Sequence, residues 1–190
     1  MYMTIIDSML SFNEKFVEGK EYEPLQTSKF PDKKIVILTC MDTRLIELLP
    51  RALNLKNGDA KIVKNAGAIV TDPYDSIMRS IIVALYALKA DEVAVIGHYG
   101  CGMTGLTSDD IFSQAEARGA DTARLQEAAY AGVDLDKWMR GFNDVEENVK
   151  NSADIIRNHP LLPEGTPVHG LAISPDTGGL TVIEKAAASQ

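Results

Sequence analysis

Two short apolar runs in this chain each lead into a turn that carries metal-binding side chains. Residues 93–96 (Val-Ala-Val-Ile) lead into Gly-His98-Tyr-Gly-Cys101-Gly, and residues 35–38 (Ile-Val-Ile-Leu) lead into Thr-Cys40-Met-Asp42. Neither run alternates with polar residues, which is typical of strands covered on both faces of a parallel sheet. If the two strands are neighbours, Cys40, His98 and Cys101 converge beyond the carboxyl ends of the strands, where open α/β sheets bind ligands.

The remaining sequence shows helical and strand patterns in alternation. An amphipathic helix is predicted over residues 3–18, followed by an irregular arm that ends near residue 33. A further helix is predicted to begin at Thr71-Asp72-Pro73, where a capping residue stands directly before a first-turn proline. The two strands described above span 34–39 and 92–96, and further strands are predicted at 60–64, 166–174 and 180–183. The other predicted helices lie at 44–53, 103–118 and 144–158, with short helical pieces in 120–143. This order predicts an α/β fold with a mainly parallel sheet flanked by helices.

Charge and the amino-terminal sequence exclude several classes of protein. The net charge is −8, from 19 basic and 27 acidic residues, and no dense basic cluster is present, which argues against nucleic acid and anionic membranes as partners. Residues 1–16 do not read as a signal peptide, and no apolar run approaches the length of a membrane span. We therefore expect a cytoplasmic protein, in which two cysteines indicate a metal site or free thiols rather than a disulfide.

The strand-end residues form a set that suits zinc. Zn²⁺ binds thiolate, imidazole and carboxylate in tetrahedral sites, and Cys40, Asp42, His98 and Cys101 offer all three ligand types. The spacing His-x-x-Cys alone is weak evidence, since a buried thiol beside a hydrogen-bonded imidazole would give the same pattern. The joint pattern is more specific, because all four residues fall in strand-end turns.

These residues resemble the motifs of the beta-class carbonic anhydrases. The family's Cys-x-Asp-x-Arg is matched by residues 40–44, its Asn-Ala-Gly by residues 65–67 and its His-x-x-Cys-Gly by residues 98–102. Its last strand pair is matched by Pro-Val-His-Gly at 167–170 and by Asp-Thr-Gly-Gly-Leu at 176–180. The resemblance runs from about Lys33 to Ile183 and so covers most of the chain.

The resemblance implies a zinc enzyme, a lyase that interconverts carbon dioxide and bicarbonate through a zinc-bound hydroxide. The length of the chain predicts one domain over residues 1–190, with residues 1–32 as helix and arm and 33–185 as the catalytic core. The resemblance implies that the parallel sheet of this core gains an antiparallel strand. It also implies a homodimer, or a higher homo-oligomer, with the site close to the subunit interface. The implied zinc ligands are Cys40, His98 and Cys101, the implied catalytic pair is Asp42 with Arg44, and the implied substrate pocket is Asn65, Ala66, Gly67 and Gly102.

Asp42 and Arg44 have a physical reason to act as a pair. As a fourth zinc ligand Asp42 would close the site, whereas catalysis needs an open position for water. Arg44 can hold the carboxylate through two hydrogen bonds and keep it off the metal. The alternative is a partly exposed surface ion pair of little energetic value.

Three other functions are consistent with parts of this pattern. Relatives of the family hydrolyse carbon disulfide or carbonyl sulfide with what looks like the same zinc site, and the motifs do not exclude that substrate. A zinc-stabilised scaffold, closed by Asp42, is a non-enzymatic alternative. Residues 100–105 spell the dinucleotide pattern G-x-G-x-x-G, but the second strand with an acidic end that this fingerprint needs is missing, because residues 123–129 read as helical.

Overall fold

The structure, a computed structural model, describes residues 3–187 without the side chains of residues 123, 126 and 128. Its centre is a five-stranded sheet in the order β2-β1-β3-β4-β5. The first four strands pair in parallel and the last is antiparallel to its neighbour. The predicted mainly parallel sheet with an added antiparallel strand is therefore confirmed. The strands are β1 (Ile35–Cys40), β2 (Ala60–Asn65), β3 (Glu92–His98), β4 (Val168–Ile173) and β5 (Leu180–Glu184).

Seven α-helices occur in the described part of the chain. They are α1 (Ile5–Glu18), α2 (Leu45–Ala52), α3 (Ser76–Ala87), α4 (Ser108–Ala117), α5 (Leu125–Tyr130), α6 (Leu135–Met139) and α7 (Val145–Arg157). Short 3-10 turns occupy Glu23–Leu25, Ala66–Ala68 and Thr122–Arg124. Between residues 3 and 187, no helix combines the length and apolar character that a bilayer crossing needs.

The two central strands are buried on both faces. In β1, Val36 and Leu38 point to a cluster that includes side chains of α3 and α7, while Ile37 points to a second cluster with Leu45 and Leu49 of α2. This division follows from the period of two in a strand, since successive side chains face opposite sides of the sheet. The apolar runs of β1 and β3 lack polar alternation because helices cover both sides.

Adjacent parallel pairing places the ends of β1 and β3 side by side. Thr39 of β1 pairs with Ile96 of β3, and the Thr39 hydroxyl donates to the Ile96 carbonyl at 2.8 Å in a buried position. The two strands are therefore neighbours, which is the condition under which Cys40, His98 and Cys101 converge. Cys40 and His98 are the last residues of their strands rather than the first residues beyond them.

Two predicted helix starts are wrong, and in both cases the reason is a turn. The carboxylate of Asp72 accepts the Tyr74 N–H at 2.7 Å and forms a turn, so α3 begins at Ser76 with Asp75 as its cap. The helix predicted from Met103 begins at Ser108, after a capping box that Thr107 forms with Asp110. Cap-like residues stabilise turns as well as helix starts, and the sequence pattern does not separate the two.

Helix α7 lies close against the sheet because two facing strand residues are glycines. A Cβ atom on Gly97 of β3 would lie 2.7 Å from a methyl group of Val149 and 3.1 Å from one of Val145. A Cβ atom on Gly170 of β4 would lie 2.9 Å from the other Val149 methyl group. Val149 is fully buried in the space that the two glycines leave open.

We predict that Gly97→Ala destabilises the fold by about 1–3 kcal/mol, because the added methyl group overlaps Val149 in a closely packed layer. Urea unfolding should show a lower midpoint with an unchanged slope. Gly102→Ala is the matched control, since a Cβ atom there would have no neighbour within 4 Å. The double change Gly97→Ala with Val149→Ala should cost less than the two single changes added together. A Gly97→Ala midpoint equal to that of the parent would contradict this packing account.

Candidate metal centre

Three side chains with metal-binding atoms meet at the carboxyl end of the sheet. Cys40 ends β1, His98 ends β3, and Cys101 lies in the turn that follows β3. One ligand atom from each side chain lies within 4.8 Å of the other two, and the two sulfur atoms are 3.9 Å apart. All three side chains are buried and both cysteines are free thiols. In residues 3–187 this is the one group of three or more His, Cys, Asp or Glu side chains so arranged.

His98 is held in an orientation that suits a metal ligand. Its Nδ1 atom lies 3.0 Å from the Tyr99 carbonyl oxygen, so a neutral ring carries its proton there and donates it. Its Nε2 atom is buried and has no hydrogen-bond partner among residues 3–187. A buried polar atom without a partner is costly, and a bound cation would remove that cost. The residues present therefore fit a metal.

The contact between the two sulfur atoms favours one thiolate. The neighbouring Cys101 thiol lowers the pKa of Cys40 most, against the opposing effect of burial, and the His98 side chain and backbone N–H groups lower it further. One of these is the Gly67 N–H, 3.3 Å from the Cys40 sulfur. The contact with Cys40 in turn raises the pKa of Cys101. Metal binding needs both sulfur atoms as thiolates and would release the remaining thiol proton.

Asp42 and Arg44 form the pair that the sequence predicts. The Asp42 carboxylate accepts hydrogen bonds from Arg44 Nε at 2.9 Å, from Arg44 Nη2 at 2.8 Å and from the Arg44 backbone N–H at 2.9 Å. The side-chain hydrogen bond from Arg44 holds the pKa of Asp42 well below its usual range. Asp42 Oδ2 lies 3.7 Å from His98 Nε2, so the pair borders the Cys40, His98 and Cys101 cluster.

Arg44 also connects the two turns that carry the candidate ligands. Its Nη2 atom donates to the Gly100 carbonyl oxygen at 2.9 Å in addition to Asp42. Gly100 adopts the left-handed backbone conformation, with φ of 62°, that lets the short turn after His98 close. The Arg44 guanidinium therefore joins the β1 turn to the β3 turn at the edge of the cluster.

The predicted pocket residues lie around the same turns. The Asn65 amide bonds the backbone of Ile69 twice, donating to its carbonyl oxygen at 2.6 Å and accepting from its N–H at 3.2 Å. The Asn65 side chain thus shapes the turn that contains Ala66 and Gly67. Gly102 is exposed directly after Cys101. A role for these residues in binding a substrate stays a prediction.

Several contacts around the cluster were not expected from the sequence. The Asn148 side chain of α7 donates to the Gly67 carbonyl oxygen at 3.0 Å, and the Ser152 hydroxyl accepts the Val70 N–H at 3.1 Å. The Tyr99 hydroxyl donates to the Glu146 carboxylate at 2.8 Å. The only sequence signal for Asn148 and Ser152 is that both fall beside the apolar positions of α7.

The largest of the described cavities, about 570 Å³, lies at the opposite end of the strands. Asp91, Glu92 and His169 are among its lining residues, and none of the candidate ligands borders it. The candidate centre is therefore a small, buried group at the carboxyl edge of the sheet, where α/β proteins place their ligands.

Comparison with known proteins identifies relatives over nearly the whole chain. The family model described as "Carbonic anhydrase" matches residues 35–180. A Bacillus subtilis protein described as "Putative carbonic anhydrase YtiB" is 56% identical over 181 residues, which cover 95% of this chain and 97% of that protein. The crystal structure of beta-carbonic anhydrase isoform I from Trichomonas vaginalis superposes with a TM-score of 0.88 at 34% identity, covering 97% of this chain and 100% of that one.

A second activity is named among the relatives. The carbon disulfide hydrolase of Saccharolobus solfataricus is 31% identical over 179 residues, which cover 87% of this chain and 85% of that protein. The family model, the 56% identity and the shared fold confirm the resemblance seen in the sequence. This chain belongs to the beta-carbonic anhydrase family of enzymes.

Proposed function

We propose that the protein catalyses the reversible hydration of carbon dioxide to bicarbonate with Zn²⁺ bound by Cys40, His98 and Cys101. The observation that carries the proposal is the buried cluster of two thiols and one imidazole, whose His98 Nε2 lies 3.7 Å from an Asp42 carboxylate held by Arg44. Family membership supports the same assignment.

The donor set suits zinc and a catalytic coordination number. Two thiolates and a neutral imidazole balance the charge of Zn²⁺ and supply three of the four ligands of a tetrahedral site. When bound in this way, zinc lowers the pKa of a water at the open position to around 7 and so supplies a nucleophile at neutral pH. The Tyr99 carbonyl fixes the ring of His98, and the Gly67 N–H stabilises the thiolate of Cys40.

Asp42 and Arg44 would orient the nucleophile. Because Arg44 occupies both carboxylate oxygens, it opposes the use of Asp42 as a fourth metal ligand, which would give a closed site. The ionised Asp42 can accept a hydrogen bond from the attacking oxygen and direct its lone pair towards carbon dioxide. Carbon dioxide is neutral, so the net charge of −8 does not oppose its approach.

We place the substrate beside the two turns that flank the thiols. Gly67 lies against the Cys40 sulfur, and Gly102 is exposed next to Cys101. A Cβ atom on Gly102 would meet nothing within 4 Å, so there is room beside this turn for a molecule of three atoms. Asn65 and Ala66 complete the proposed pocket.

Carbon disulfide hydrolysis is the alternative for the same site. It is favoured by the 31% identical hydrolase, whereas the 56% identical relative, described as a putative carbonic anhydrase, favours carbon dioxide. Turnover of the two substrates measured side by side on one zinc-loaded preparation would separate the proposals. Faster turnover of carbon disulfide than of carbon dioxide would reject the carbonic anhydrase assignment.

We also propose that the protein forms a homodimer, or a higher homo-oligomer built from such dimers. Helix α1 is amphipathic, yet none of its residues is buried in this chain. Its exposed apolar side chains include Ile5, Met9 and Phe12, with 76%, 60% and 63% of their surface accessible. A contiguous apolar face of this kind marks a protein contact.

A cytoplasmic location stays a prediction, with which the two free thiols agree.

We predict that hydration of carbon dioxide depends on one zinc ion per chain. Chelation should abolish the activity and added Zn²⁺ should restore it. Cys101→Ser should lose zinc and activity together, because a hydroxyl is a poor zinc ligand at neutral pH. Metal analysis paired with a stopped-flow hydration assay checks both results. Full zinc occupancy with full activity in Cys101→Ser would remove Cys101 from the ligand set.

We predict that Arg44→Ala keeps the metal but lowers the hydration rate by about 10²-fold, since the released Asp42 is misplaced or binds the metal itself. Arg51→Ala is the matched control, because Arg51 lies on the adjacent helix α2 and pairs with exposed Glu47 at 3.0 Å. Measuring the zinc content and the turnover of both variants tests this prediction. Parent-like turnover by Arg44→Ala would contradict the role given to the pair.

We predict that the double change Met9→Asp with Phe12→Asp converts the dimer to a monomer, because two carboxylates would be buried in an apolar contact. Ser11→Asp, on the polar side of α1, should leave the dimer intact. Light scattering after size exclusion measures the masses against the chain mass of 20.7 kDa. A parent chain that is monomeric, or a double variant that stays dimeric, would contradict the contact through α1.

A further inference from the structure

Helix α7 buries two polar side chains within its apolar face. Asn148 is 7% exposed and Ser152 is 1% exposed, and the fully buried Val149 lies between them in the sequence. Burial of an amide or hydroxyl is unfavourable unless hydrogen bonds replace those to water. Both side chains meet this need on the segment that follows β2, at Gly67 and at Val70. Helix α7 therefore fixes this segment at two points.

Gly67 links the helix to the metal centre. Its carbonyl oxygen accepts from Asn148 Nδ2 at 3.0 Å, while its own N–H donates to the Cys40 sulfur at 3.3 Å. The residue has a φ of 82°, in the left-handed region, and a Cβ atom there would lie 2.9 Å from the Phe142 ring. Gly67 is thus held on one side by Asn148 and on the other by the sulfur atom, and a side chain at this position would overlap Phe142.

We propose that Asn148 is a positioning residue of the metal centre. By holding the Gly67 carbonyl, Asn148 keeps the Gly67 N–H directed at the Cys40 sulfur and so orients a metal ligand from a different helix. The proposal rests on the zinc site proposed above. Groups that hydrogen-bond a metal ligand directly, as Gly67 does, affect metal affinity about 10–100-fold when they are lost. Asn148 acts on the ligand through Gly67.

Ser152 provides the matched control for this role. It also anchors the segment after β2 from within α7, but it does so at Val70, three residues beyond the Gly67 N–H that reaches the sulfur. Ser152→Ala removes one buried hydrogen bond, as Asn148→Ala does. If both side chains only stabilised the fold, the two variants would have the same metal affinity. The proposed role predicts that Asn148→Ala lowers the metal affinity and that Ser152→Ala does not.

The test compares the parent, Asn148→Ala, Asn148→Leu and Ser152→Ala by two measurements. Zinc affinity is measured by competition with a chromophoric chelator, and the sulfur-to-cobalt charge-transfer band is recorded after loading with Co²⁺. Asn148→Ala should weaken zinc binding about 10-fold or more and move the band to lower energy, because the thiolate loses an ordered hydrogen bond. Asn148→Leu, which fills the space without a donor, should behave in the same way. Ser152→Ala should match the parent in both measurements.

Equal zinc affinity in the parent and Asn148→Ala would overturn the proposal, and so would recovery of parent affinity in Asn148→Leu. If the Asn148 variants do not fold, the proposal is tested instead by NMR on the parent chain loaded with ¹¹³Cd. Its Gly67 amide proton should show scalar coupling to the metal through the N–H···S contact, and absence of that coupling overturns the proposal. A parent chain that binds no zinc instead contradicts the proposed function itself.

Discussion

The parallel pairing of β1 with β3 is the interaction on which the rest of the site depends. Its register sets Thr39 beside Ile96, and the buried bond from the Thr39 hydroxyl to the Ile96 carbonyl reinforces that register just before the strands end. Cys40 and His98 therefore lie side by side at the carboxyl end of the sheet, and no long loop is needed to bring them together. Because both strands are covered by helices on both faces, the turns that follow them start from a rigid base.

Three sets of contacts hold the candidate metal ligands at the ends of these strands. The ligand candidates come from the strand ends and from one short turn, so their approach is fixed mainly by local chain geometry. Arg44 then joins the two turns by bonding Asp42 and the Gly100 carbonyl. Helix α7 supplies the outer contacts, through Asn148 to Gly67 and through Glu146 to Tyr99. The site is thus held from the sheet and from a helix distant in sequence.

The sequence was informative where chemistry and local pattern coincide. Cys40, His98 and Cys101 could be found because rare ligand types follow continuously apolar strands. Asp42 and Arg44 could be found because two oppositely charged side chains lie two positions apart directly after Cys40. The starts of α3 and α4 were predicted too early, since Asp72 and the residues after Cys101 form turns first. Asn148 could not be found, because its partner is a backbone carbonyl 81 positions away that no side-chain pattern reveals.

X-ray absorption at the zinc edge of the parent enzyme tests the central claim most directly, because it reads the ligands without a variant. The account predicts two sulfur ligands at about 2.3 Å and one imidazole nitrogen at about 2.0 Å, with one further light atom completing a four-coordinate site. One sulfur or none, or a site made only of nitrogen and oxygen ligands, would contradict the convergence of Cys40, His98 and Cys101 on a single zinc ion.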